Sequence, residues 1–129
     1  MKGILAAILA VILCYAISCA QSTPEAVFDA YKSALEKGDR DAYFDLITAE
    51  SRAIVNPSPA LMLREFAEIK DLNPDVQIEA SDKAVVYFVP SRSKIPPYIL
   101  KKENGQWKID LKTMSQEYVF DNKDEWHKR

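Results

Sequence analysis

Hydrophobic positions change their spacing twice along this chain. An uncharged apolar run from Ile4 to Ile17 comes first, with Lys2 before it and Ser18-Cys19 behind it. Spacing typical of helices follows. Thr23 suits an N-cap, Pro24 the first helical position, and Glu25 the positive end of the helix dipole. Val27, Phe28, Tyr31, Ala34 and Leu35 then recur on one face, and Gly38 stops the helix after Lys37. Asp39 can cap a second helix bearing Tyr43, Phe44, Leu46 and Ile47. Ser58-Pro59 introduces a third, with Met62, Leu63, Phe66 and Ile69 as its apolar face, ended by Asn73-Pro74.

The period then becomes two. Val76, Ile78 and Ala80 alternate with Gln77 and Glu79, which predicts a half-buried strand. Ala84 to Val89 is continuously apolar and predicts a central strand. Asn104-Gly105 favours a type I′ turn joining Tyr98–Glu103 to Gln106–Leu111. That register sets Leu100 opposite Ile109 and Tyr98 opposite Leu111, with Trp107 on their face and Lys108 and Asp110 on the other. Residues 112–129 read as a tail, with Thr113 to Gln116 as a capping box for a short helix and frayed charged residues from Asn122. Helices followed by a meandering sheet make an α+β fold.

The opening run has the parts of an export signal: a basic start, about 14 apolar residues, and small residues before a cut. It is short for a membrane span, which needs about 20. Two cuts compete. Ser18-Cys19 resembles the end of a bacterial lipoprotein signal, with residues 1–18 removed, Cys19 lipidated, and 19–22 a short tether. Ser18-Cys19-Ala20 can instead be read as an ordinary site cut before Gln21. The first gives Cys19 a role, and the several acyl chains of a lipoprotein anchor would hold the domain stably at a membrane. Ala20 rather than Asp after it implies an outer-membrane lipoprotein facing the periplasm; otherwise the chain is periplasmic or secreted.

Composition narrows the function. The chain has two cysteines, and Cys14 would leave with the signal, so no disulfide is expected. Acidic side chains number 19 against 17 basic ones, and Lys2 would also leave. That balance excludes nucleic acid as a partner. About 110 residues can bury a modest core without metal or disulfide.

Three motifs carry a resemblance across residues 23–111. Thr23-Pro24-Glu25-Ala26-Val27 opens a helix, Lys37-Gly38-Asp39 joins two helices, and Glu103 to Ile109 (ENGQWKI) forms a hairpin. With these the chain resembles a nuclear transport factor 2-like domain of a bacterial lipoprotein. The resemblance implies N-terminal helices packed on a curved antiparallel sheet, the cystatin-like cone, in which homodimers are common. None of the three motifs is catalytic, and the fold hosts enzymes, ligand binders and interaction modules alike.

Candidate chemistry is sparse. His127 is the lone histidine, in a charged tail, and reads as solvated; no metal or other cofactor is expected. Arg92 and Lys94 read as a solvated loop. Enzymes of the resembling fold, such as ketosteroid isomerases and SnoaL-like cyclases, use a carboxylate or His in the cone. Asp45 and Asp110 are the carboxylates that could serve, yet neither matches a catalytic motif, and no catalytic residue is expected. Tyr31, Tyr43, Asp45 and Tyr87 are the expected lining of any ligand pocket, against the plainer reading of the aromatics as core. The sequence therefore points to a lipid-anchored envelope protein acting as a non-enzymatic interaction or small-ligand-binding module. Its expected partners are the membrane, through Cys19, and a protein or small apolar ligand. A cone enzyme using a buried carboxylate is the alternative.

Overall fold

The computed structural model describes residues 23–89, 94–123 and 125–129. The export segment, Cys19, the tether and Arg92 lie outside them. Helices α1 (Pro24–Lys37), α2 (Arg40–Leu46), α3 (Ala49–Arg52) and α4 (Pro59–Ile69) precede a four-stranded antiparallel sheet. Its strands are β1 (Asn73–Ala80), β2 (Lys83–Val89), β3 (Tyr98–Glu103) and β4 (Gln106–Ile109), side by side in chain order. The chain ends with helix α5 (Leu111–Glu117) and a two-stranded ribbon, β5 (Tyr118–Phe120) and β6 (Trp126–Lys128). This is an α+β fold, with helices packed on one antiparallel sheet.

The helix start signals act as read, but Asn73-Pro74 does not end the third expected helix: α4 stops at Ile69, and those two residues open β1. Thr23, Asp39 and Ser58 side chains accept from the backbone N–H of Ala26, Ala42 and Leu61, each satisfying an otherwise orphaned donor. Gly38 ends α1 with φ of 63°, the left-handed conformation glycine adopts without steric cost. Helix α3 has no sequence signal beyond Thr48, which accepts from Ser51 N–H. Within α4 the burial differs from expectation. Met62 and Ile69 are buried but Leu63 is 53% exposed, because 62, 65, 66 and 69 form the inward stripe and 63 falls off it.

The hairpin register is the expected one at Leu100 and Ile109. Asn104 and Gly105 take φ of 52° and 76°, as a type I′ turn requires. Two expectations fail nearby. Strand β4 stops at Ile109, so Leu111 never reaches Tyr98, which pairs only with Val86. Asp110 ends the strand by capping α5, accepting from Thr113 N–H at 3.1 Å and from its hydroxyl at 2.6 Å. Strand β1, expected half-buried, is an edge strand on which only Val76 is partly covered. Ile78 stands 59% exposed beyond the helices' reach.

The core lies between the helices and the inner sheet face. Val27, Phe28, Tyr31 and Leu35 of α1 meet Val86, Phe88, Tyr98, Leu100, Trp107 and Ile109 of the sheet. The opposite face is also used. Val85 and Ile99 point away from this core yet are only 3% and 2% exposed, because α5 and the tail fold back over that side. Lys112 N–H donates to Ser51 Oγ, fastening α5 to α3, and Lys83 pairs with Glu117. The tail is thus an ordered ribbon over 118–120 and 126–128 rather than a fray. No helix among the described residues is long and apolar enough to cross a membrane.

Candidate functional site

One carboxylate enters the aromatic core, and it belongs to Glu65. Helix α4 places it there because Glu65 lies three residues after Met62 and four before Ile69, on the buried stripe. The hydroxyls of Tyr31, from α1, and Tyr98, from β3, both donate to Glu65 Oε2, at 2.5 and 2.7 Å. Tyr43, from α2, stacks beside Tyr31 with ring centroids 5.5 Å apart, and Tyr31 meets Tyr98 edge-on at 5.7 Å. Phe28 and Phe88 complete the cluster, each within 5.9 Å of Tyr98. Helices α1 and α4 and strand β3 therefore meet at one carboxylate oxygen, with α2 packed beside them through Tyr43.

Burial raises the Glu65 pKa above the ordinary glutamate value, while the two phenol donors oppose the shift by favouring the anion, and Glu68 adds to it. Tyr31 and Tyr98 are pushed well above the usual phenol range by burial, then by each other's or Glu65's charge. Tyr43 rises to about 12, mainly through burial. All three phenols therefore stay protonated, and Tyr31 and Tyr98 act as the donors to Glu65.

The other oxygen, Oε1, has no hydrogen-bond partner among the described residues and is not sealed from solvent. Glu65 also lines a surface groove of about 510 Å³ where α2, α4 and the preceding loop meet, together with Tyr43, Val55, Asn56, Pro57, Leu61, Arg64 and Glu68. Leu61 is 56% exposed on its rim.

The residues expected to line a pocket divide. Tyr31 and Tyr43 are brought together, with Tyr98 and Glu65 added. Asp45 is exposed and faces a different depression, of about 490 Å³, between α1, α2 and β4. Tyr87 lies on the outer sheet face, its hydroxyl 3.4 Å from Glu79. Asp110 is not on a solvated face as the register suggested. It is 6% exposed because α5 covers that side, and its two oxygens serve Thr113. Glu65 went unread because its charge disqualified it from the apolar pattern; its i+3 spacing from Met62 was the available signal.

His127 is exposed and pairs with Asp121, Nε2 to Oδ2 at 2.7 Å, which together with backbone donors lowers the Asp121 pKa. With Glu125 these side chains bring three ligand-type atoms within 4.8 Å. The imidazole–carboxylate pair and the turn N–H groups of Lys123 and Glu125 account for that grouping. The chain matches no protein-family model, no curated protein and no solved structure.

Proposed function

We propose that this chain is an exported, lipid-anchored bacterial envelope protein whose domain has the nuclear transport factor 2-like cone and works as a non-enzymatic binding module. Export and anchoring rest on the apolar run from Ile4 to Ile17 and on Ser18-Cys19 behind it. The binding role rests on one observation above all. Phe28, Tyr31, Phe88 and Tyr98 pack together between helices and sheet, and Glu65, which accepts from Tyr31 and Tyr98, also lines a surface groove.

That packing of aromatic rings among the described residues weighs against the isomerase or cyclase alternative. Asp45 is exposed, and both oxygens of the buried Asp110 are engaged by Thr113, so neither is a free carboxylate in the dry setting a general base needs. That alternative keeps one observation in its favour, the raised pKa of Glu65. Turnover of an enolisable ketone by the full chain, abolished by Glu65→Gln, would establish it.

The anchor is tested by growing a bacterial host expressing the full chain with a radioactive fatty acid. Label on the wild type and none on Cys19→Ser is expected. An unlabelled wild-type protein beginning at Gln21 would remove the anchor and leave a free periplasmic domain.

A further inference from the structure

We infer that the groove beside Glu65 binds a small organic cation, a protonated amine carrying a short apolar group. The inference deepens the binding-module reading and rests on it. Four observations carry it.

Glu65 is a carboxyl group with no cationic partner among the described residues. The ion pairs among the described residues involve Lys83, Lys112 and His127, and none reaches Glu65. Arg64 lines the same groove but forms no ion pair with it. Its neighbouring charge is Glu68, of the same sign.

Its hydrogen bonding is half complete. Tyr31 and Tyr98 fix Oε2, which orients the carboxylate and leaves Oε1 without a partner among the described residues, on a side chain that lines the groove. An ammonium N–H is the strong complement to such an oxygen, since charge-assisted hydrogen bonds are about twice as strong as neutral ones.

Part of the groove lining is apolar, beside the polar Asn56, Arg64 and Glu68. Val55, Pro57 and the exposed Leu61 stand on its wall, a surface that a hydrocarbon group would cover. Finally, the chain carries a formal net charge of −2, which disfavours an anionic ligand.

The test titrates the full chain, purified in a non-ionic detergent, with benzylammonium, benzyl alcohol and benzoate while following backbone amide shifts. Saturable shifts at Tyr43, Leu61 and Glu68 are expected with benzylammonium. Glu65→Gln should weaken its binding by about tenfold or more, the scale of one charged hydrogen bond. Benzyl alcohol should bind at least about tenfold more weakly, and benzoate not at all.

Acid gives a check that needs no variant. The groups facing Glu65 are Tyr31 from α1, Tyr43 from α2, Tyr98 from β3, and Arg64 and Glu68 from α4. The tyrosines keep their protons throughout, so affinity should fall as pH drops through the Glu65 pKa while the amine stays charged. Glu68→Gln should leave binding within about threefold of wild type, separating the two carboxylates.

Equal binding of the amine and the alcohol at the groove would overturn the cation while sparing the binding module. Full retention of amine binding in a folded Glu65→Gln, or its loss in Glu68→Gln alone, would overturn the role of Glu65. Absence of groove shifts with every probe would overturn both readings.

Discussion

The Tyr98 hydroxyl donates to Glu65 Oε2 across 2.7 Å, tying the third strand of the sheet to helix α4 through a single acceptor. Tyr31 donates to the same oxygen from α1, so the two phenols are redundant in part. Tyr98→Phe or Tyr31→Phe alone should cost about 1 kcal/mol, because one donor still serves Oε2. The double variant should cost more than the sum, since it leaves a buried oxygen with no donor. Each loss should also raise the Glu65 pKa further. Urea unfolding of the three variants and NMR titration of the side-chain carboxyl check both parts.

The pH dependence of stability follows from the direction of the Glu65 shift. Its pKa is raised in the folded chain, so the native state binds this proton more tightly than the unfolded state. The contribution of Glu65 is therefore fully present below the ordinary glutamate value and is lost as pH rises through the raised one. Glu65→Gln keeps an acceptor for both tyrosines and cannot ionise. Relative to this variant, the wild type should lose stability across that window by less than about 1 kcal/mol, because the groove admits water. A wild type that gains on the variant as pH rises would reverse the sign and the account.

Helix starts and the hairpin were legible because each rests on a local rule. Thr23, Asp39 and Ser58 satisfy helix donors three residues on, and Asn104-Gly105 takes the positive φ that a two-residue turn needs. Tyr31 and Tyr43 were legible as aromatic positions on apolar faces. What could not be read was long-range. Glu65 meets Tyr31 and Tyr98 across more than thirty positions each, and a charge on a helix face is ordinarily solvated. The burial of Asp110 depends on a tail that folds back over the sheet, and nothing in the strand's alternation announces that cover.

Asp110 joins a strand end to a helix start, so its removal should loosen the tail. Asp110→Ala deletes both the cap to Thr113 N–H and the bond to its hydroxyl, and should cost about 1–2 kcal/mol. Asp110→Asn retains an acceptor oxygen and should cost less. Hydrogen exchange should speed up across Leu111–Glu117 in the alanine variant while the amides of α1 stay protected. Equal acceleration in α1 would mean that the cap supports the whole fold rather than the tail alone.

Two glycines with positive φ separate conformational strain from crowding. Gly38 has φ of 63° and Gly105 φ of 76°, so alanine at either meets the left-handed penalty of about 1–2 kcal/mol. They differ in surroundings. A Cβ at Gly105 would have nothing within 4 Å, whereas one at Gly38 would lie 3.1 Å from Pro59 Cβ, at the first turn of α4. Pro59 cannot swing aside as a long side chain would, because its ring fixes the start of the helix that carries Glu65. Gly38→Ala should therefore be the costlier change, by about 1 kcal/mol beyond Gly105→Ala. It should also shift the amides of the Glu65 groove, which Gly105→Ala leaves in place. Urea unfolding with amide mapping measures both, and equal costs with an undisturbed groove would show that α4 yields freely at Pro59.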